Sequence, residues 1–258
     1  MLRGVQVRQC LRIVAVFAVC ALASPRVAAA QTSGQLWGTL TLNWLKSDRL
    51  GFELEFEPKV TDWVPDGDAK WATLDATPGI EYAMRGWLDL VGELATAHTW
   101  QDDDVTSTEL TPRAGLRLHF LSRELPTGPL RHERLPRHRI VLRNLTRIEG
   151  RNLFYNDGTE DSVVRLRNRL EFQVPLNRPK ISDDGARYFL IDWEWFIPLD
   201  DPEERFASRQ RVRAGIGYRH TRDWRLEALY IINRSRNTLE DSFTSTDHIV
   251  DIRVKRVF

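Results

Sequence analysis

The residues of this chain with the greatest capacity for chemistry are glutamates and arginines that recur at every second position. Glu53, Glu55 and Glu57 form one such row, and a second row runs through 165–169 as three arginines. Successive side chains of a β-strand point to opposite faces, so each row would place its charges on one face. Such rows can pair with each other or attract ions of the opposite sign.

The charged residues divide into an acidic part and a more basic part along the chain. Residues 31–104 hold 14 acidic and 5 basic residues, whereas residues 105–258 hold 22 acidic and 28 basic ones. If the strands close into a barrel, an acidic wall is expected to face a basic wall across the lumen. The residues that we predict to line this lumen are Glu53, Glu55, Glu57, Arg113, Arg117, Arg147, Arg165, Arg167, Arg169, Glu171, Arg211 and Arg213.

Two interpretations of the charged face stay open, because both use the same residues. In the first, the arginines and carboxylates pair across a narrow, filled interior and stabilise it. In the second, a gap between the walls forms a charged pore, or a cleft that binds anionic or zwitterionic solutes. In a pore, the arginines of 165–169 and 211–213 would form an anion-attracting wall opposite the glutamates of 53–57.

No group of residues has the spacing of a known catalytic or metal site. The sequence lacks a Gly-x-Ser-x-Gly motif, a His-Glu-x-x-His motif and a glycine-rich phosphate loop, and its six histidines are scattered. We therefore expect no catalytic residue, no metal and no cofactor. A barrel enzyme that acts on lipid or lipopolysaccharide is kept as an alternative function.

Strands with a period of two are the elements that would hold these residues. Leu50, Phe52, Leu54 and Phe56, for example, alternate with Gly51 and the acidic row. Most candidate strands have 10–13 residues, which suits a tilted membrane crossing of about 9–11. The eleven candidates are 35–44, 50–60, 72–84, 87–100, 108–120, 138–149, 162–174, 187–197, 208–220, 224–234 and 248–258.

This pattern predicts an all-β fold, an antiparallel up-and-down transmembrane β-barrel. Single-chain bacterial barrels have even strand numbers, so we predict about twelve strands, with ten as the next choice. Long polar connections alternate with short ones, as in outer-membrane barrels, but segment 121–137 is long where a short turn is expected. The long ones are 61–71, 101–107, 150–161, 198–207 and 235–247; the short ones are 45–49, 85–86 and 221–223.

The tryptophans support a membrane location, since nearly all lie at predicted strand ends, where interfacial aromatic girdles occur. They are Trp37, Trp44, Trp63, Trp71, Trp87, Trp100, Trp193, Trp195 and Trp224. The alternation itself does not say which face meets water. A soluble periplasmic binding protein, lipocalin-like or a β-sandwich, would bury the apolar face and is the other alternative.

Residues 1–30 have the features of a cleaved secretory signal peptide. A basic start is followed by the eleven-residue apolar run Ile13–Ala23 and then by small residues before Gln31. Both cysteines lie in this segment, so the predicted mature domain, residues 31–258, has none. Its 33 basic and 36 acidic residues give no sign of nucleic-acid binding.

The last strand has the features of an outer-membrane assembly signal. Val254 and the terminal Phe258 are the apolar residues of this signal, and Arg256 departs from it where an apolar residue is usual. We expect a monomer in the bacterial outer membrane, in contact with outer-membrane lipid. Its partners during biogenesis would be the barrel assembly machinery and periplasmic chaperones, with no nucleic acid.

The second half of the chain resembles a known family. Its segments, in order, are RIEGR (147–151), RLRNRL (165–170), DWEWF (192–196), FASRQR (206–211), GIGY (215–218), LEALY (226–230) and DHIV (247–250). This order resembles the bacterial family catalogued as domain of unknown function 2490, predicted outer-membrane barrels. The resemblance covers most of the predicted mature chain and is firmer after Arg139. It implies an antiparallel barrel and supplies no reaction, ligand or functional residue.

Overall fold

The structure, a computed structural model, describes residues 31–63, 70–101, 106–121, 139–200, 209–235 and 245–258. The predicted signal peptide lies outside the described residues, as do most of segment 121–137 and parts of four other predicted connections. Within the described part of the chain, no helix is long and apolar enough to cross a membrane.

The described residues form eleven β-strands that close into a single barrel, in which each strand is hydrogen-bonded to the next in sequence. Consecutive strands are antiparallel, and β1 closes the barrel by pairing in parallel with β11, from Gln31 beside Ser245 to Asn43 beside Val257. The strands are β1 (Gln31–Leu45), β2 (Leu50–Trp63), β3 (Trp71–Arg85), β4 (Leu88–Gln101), β5 (Ser107–His119), β6 (Val141–Tyr155), β7 (Glu160–Pro175), β8 (Arg187–Pro198), β9 (Arg209–Arg219), β10 (Trp224–Ser235) and β11 (Ser245–Val257).

The predicted closed β-barrel is confirmed, with a strand number between the ten and twelve that we expected. Each of the eleven candidate segments corresponds to one strand. The expectation of an even number assumed an antiparallel closure. An up-and-down chain of eleven strands begins and ends in the same direction, so its first and last strands must pair in parallel, as β1 and β11 do.

The predicted loop 150–161 is mostly strand, which corrects the sequence prediction. β6 continues to Tyr155 and β7 begins at Glu160, so only a tight turn separates them. Gly158 takes a positive φ of 87° in this turn. The backbone N–H and the hydroxyl of Thr159 donate to Asp157 Oδ1 at 2.9 and 2.6 Å, and these bonds lower the pKa of the Asp157 carboxyl.

The barrel turns its apolar face outward and its charged face inward. Ile216, for example, is 63% exposed, whereas Arg213 on the same strand is buried in the interior. The exposed large apolar side chains include Leu36, Phe52, Leu74, Ile80, Leu90, Leu116, Ile148, Ile197, Tyr230, Val250 and Ile252. A surface this apolar is unusual for a protein that contacts water on all sides.

The connection between β7 and β8 covers one end of the barrel. This end, where β11 also finishes, is called the C-terminal mouth here. Ile181 in the connection is 3% exposed and joins an apolar cluster with Tyr188 and Ile231. Arg219 Nε donates to the Ile181 carbonyl at 2.9 Å, which holds the connection against β9.

Most described tryptophans face outward, but Trp37 does not, which corrects its assignment to an interfacial girdle. Trp37 is buried inside the barrel, with Lys59 Nζ 4.7 Å and Arg211 Cζ 5.1 Å from its ring centroid. The exposed members are Trp44, Trp87, Trp100, Trp193 and Trp224. The side chain of Trp63 lies outside the described residues.

A close contact between Gly217 and Tyr188 gives a first testable prediction. A Cβ at position 217 would lie 2.1 Å from Tyr188 Cζ, and the fully buried Tyr188 donates its hydroxyl to Glu227. We expect Gly217→Ala to lower the free energy of unfolding by about 1–3 kcal/mol through overpacking. Urea unfolding of the detergent-solubilised protein measures it.

Gly150→Ala is the matched control, because a Cβ at Gly150 meets no atom within 4 Å. It should change the free energy of unfolding by less than about 0.5 kcal/mol. Equal stability of the two variants would contradict the close contact.

Candidate functional site: the charged lumen

The predicted lumen residues all point into the barrel, where they line two adjoining cavities. The mouth cavity has a volume of about 270 Å³ and lies beside Ile181 and Val257. The central cavity, about 200 Å³, lies beside Thr39 and Phe196. Glu53, Glu55, Arg117 and Arg169 line both cavities, Glu171 lines the mouth cavity, and Glu57, Arg113, Arg147, Arg165, Arg167, Arg211 and Arg213 line the central cavity.

Glu149 on β6 is the most highly connected carboxylate of the interior. It is fully buried, and Arg165 and Arg167 of the neighbouring β7 contact it at 2.7 and 3.2 Å. Arg113 and Arg147 approach it at 3.4 Å each. Four guanidinium groups therefore share one carboxylate, a role that we did not assign to Glu149 from the sequence.

Glu194 on β8 is a second shared carboxylate and is also fully buried. Arg167 Nε lies 2.7 Å from its Oε1, so Arg167 connects the two shared carboxylates. Arg211 and Arg213 approach Glu194 at 3.5 and 3.6 Å. Arg213 also pairs closely with Asp192, at 2.7 Å.

Some ion pairs join strands that are not adjacent in the barrel wall. Arg147 on β6 reaches past β5 to Glu93 on β4 at 2.8 Å, and Arg117 on β5 pairs with Glu81 on β3. The other pairs are Arg151 with Glu109, Arg143 with Glu171, Lys255 with Glu53, and Lys59 with both Glu57 and Asp75. The interior charges are therefore mostly paired, as the first interpretation of the sequence required.

Arg169 and Glu55, which line both cavities, are exceptions. Arg169 forms no hydrogen bond or ion pair with any residue in the part of the chain that the structure describes. Glu55 has no cation partner there and accepts only a long hydrogen bond of 3.4 Å from Thr41. A charge without a partner keeps its capacity to bind a solute.

Aromatic rings hold part of the arginine wall in place. The guanidinium carbons of Arg165, Arg167 and Arg211 lie 4.9, 4.7 and 5.3 Å from the ring centroid of Phe196. Arg211 also lies 5.1 Å from the Trp37 ring centroid. Stacking on a ring leaves the N–H groups at the edge of a guanidinium available. This contact could not be predicted from the sequence, because it depends on the pairing of β8 with β7 and β9.

His119 and Asp89 form a histidine–carboxylate pair inside the barrel. His119 Nε2 lies 2.8 Å from Asp89 Oδ2, and both side chains are buried. No group of three or more His, Cys, Asp or Glu side chains in the described ranges is arranged to hold a metal ion.

The two residues of the predicted assembly signal lie on the outer surface beside the barrel closure. Phe258 stacks on Trp44 of β1 with ring centroids 5.4 Å apart, and its N–H donates to the Asn43 carbonyl at 2.9 Å. Val254 pairs with Leu226 on β10 and with Leu40 on β1. Arg256, which departs from the signal, lies over the rings of Trp224 and Phe258 at 4.9 and 4.5 Å.

Comparison with known proteins identifies a family. No curated protein and no solved structure matches the chain. The family described as "Protein of unknown function (DUF2490)" matches residues 34–244, which include all of β2 to β10 and most of β1. The chain therefore belongs to this DUF2490 family.

Proposed function

We propose that this protein is an integral β-barrel of the bacterial outer membrane, with a narrow charged lumen that has a structural or small-solute role. The observation that carries the proposal is the direction of the two faces: large apolar side chains cover the outside while carboxylates and guanidinium groups fill the inside. Lipid is the solvent that favours such a surface. A closed barrel also satisfies every backbone group without an edge strand.

The soluble alternative requires the opposite arrangement. A periplasmic lipocalin-like or β-sandwich protein would turn residues such as Ile216 and Val250 inward and its arginines toward water. Both of these apolar side chains are exposed instead. The outward Trp44, Trp87, Trp100 and Trp224, near strand ends, add the pattern of an interfacial girdle.

The lumen is too obstructed for a wide diffusion channel. Ion pairs such as Arg147–Glu93 and Arg167–Glu194 occupy its centre, and the connection that carries Ile181 covers the C-terminal mouth. Barrels of about this strand number have interiors that side chains can largely fill. Passage or binding is therefore restricted to small solutes. We expect the resting barrel to have a low ion conductance.

Export and assembly belong to the same proposal. Residues 1–30 would act as a cleaved signal peptide, and the periplasmic chaperones and barrel assembly machinery would recognise the last strand through Val254 and Phe258. Because β1 and β11 close the barrel within one chain, a single copy suffices, and we propose a monomer.

Two measurements on detergent-solubilised membranes test the proposal. We expect an electrophoretic band that shifts between unheated and boiled samples, as closed membrane barrels give. In planar bilayers we expect rare, small steps instead of the large, steady conductance of a general porin. A soluble periplasmic protein without a heat shift would contradict the membrane proposal, and large steady conductance would contradict the obstructed lumen.

A further inference from the structure

The central cavity carries more positive than negative charge on its arginine wall. Among the described residues, six arginines of this wall share four carboxylates and a seventh, Arg169, forms no ion pair, so three positive charges remain. The arginines are Arg113, Arg147, Arg165, Arg167, Arg169, Arg211 and Arg213, and the carboxylates are Glu93, Glu149, Asp192 and Glu194. The unpaired Glu55 on the opposite wall reduces the surplus by one.

A surplus of buried charge is costly unless something compensates for it. The least compensated members are Arg169, which has no partner among the described residues, and Arg211, whose nearest carboxylate oxygen is 3.5 Å away. The Nε atoms of Arg147 and Arg211 are buried and have no acceptor in the described part of the chain. The wall therefore presents unused donors to a cavity of about 200 Å³.

We propose that the central cavity binds a small multivalent oxyanion, of the phosphate class, on its arginine wall, through Arg169 and Arg211. Arg211 is held by the rings of Trp37 and Phe196 as well as by its 3.5 Å contact with Glu194, so part of its position does not depend on a carboxylate. Guanidinium groups bind tetrahedral oxyanions through several N–H donors at once. The acidic residues of β2 confine the anion to the arginine wall by repulsion. This inference rests on the inward-facing lumen of the proposed function.

Titration calorimetry with inorganic phosphate tests the site, on the folded, detergent-solubilised full chain at constant ionic strength. Arg169→Gln and Arg211→Gln should each raise the dissociation constant at least about tenfold, the loss of one charge-assisted hydrogen bond. Arg169 contacts no described partner, so its replacement leaves the ion pairs intact and keeps the test valid if Arg211→Gln fails to fold. Arg211→Lys should give an intermediate affinity, because it keeps the charge and loses the planar donors.

Arg222→Gln is the matched control, since it removes the same charge from the exposed turn between β9 and β10. It should change the dissociation constant by less than about twofold. Absence of phosphate binding by the unmodified protein, or an equal loss in all variants, would overturn the site. The assay does not use membrane location or conductance, so its failure is distinguishable from a failure of the proposed function.

Discussion

Replacement of Glu149 by Gln should destabilise the barrel by about 3–5 kcal/mol, because it removes a fully buried carboxylate shared by four guanidinium groups. Among the described residues, Arg165 would lose the carboxylate that it contacts at 2.7 Å, and Arg167 would keep its contact with Glu194. Urea unfolding of the detergent-solubilised protein, followed by the heat-shifted band, measures the change. The fraction of folded barrel in membranes should fall in parallel.

Two further variants separate this effect from a general loss of charge. Glu160→Gln removes a carboxylate at the exposed start of β7 and should leave the free energy of unfolding within about 0.5 kcal/mol of the original. The double variant Glu149→Gln, Arg165→Gln should recover part of the loss, because one unpaired guanidinium is removed together with its carboxylate. A Glu149→Gln protein as stable as the Glu160→Gln protein would contradict the shared-carboxylate account.

Deletion of Phe258 should reduce the amount of assembled barrel in the outer membrane severalfold. The residue stacks on Trp44 and lies against Arg256, and its N–H bonds to Asn43, so it joins both strands of the parallel closure. Without it, the closure loses the stack on Trp44 and the hydrogen bond to Asn43 and, under the proposed function, the apolar end of the assembly signal. The heat-shifted band in isolated outer membranes measures assembly.

The amount of assembled barrel should depend on the position of the Phe258 ring and not on apolar surface in general. Phe258→Tyr keeps the stack and should assemble normally. Leu176→Ala, at an exposed apolar position beyond β7, should have little effect. Trp44→Ala should reproduce part of the deletion defect from the other strand. Normal assembly without Phe258 would contradict its role at the closure.

Much of the fold follows from short-range pattern. The period of two located every strand and placed the twelve lumen residues on one face, because strand geometry fixes alternation locally. It left open which face meets water, since an apolar stripe suits a soluble core and a lipid surface equally. Closure and the burial of the arginines inside the barrel settle the direction of the two faces.

The features that the sequence missed depend on register between strands. Glu149 lies between Arg147 and Arg151 in the sequence, but its contact with Arg113 and Arg165 arises from the pairing of β5, β6 and β7. Trp37 points inward because it lies at an inward-facing position of the alternation along β1. Its location near a strand end does not show this. The extension of β6 was missed because Gly150, Arg151 and Asn152 interrupt its apolar alternation, which indicates a loop when only that alternation is counted.

Spin labels on single side chains of β11 test most directly which face of the barrel contacts lipid. The cysteines of the sequence, Cys10 and Cys20, can be replaced by serine, and a spin label can then be placed at Val250, Ile252 or Lys255. We expect the labels at Val250 and Ile252 to be relaxed by oxygen dissolved in lipid and not by a water-soluble nickel complex. The label at Lys255, which lines the mouth cavity, should not be accessible to lipid-phase oxygen. Relaxation of the labels at Val250 and Ile252 by the nickel complex would contradict an apolar face in lipid around a charged lumen.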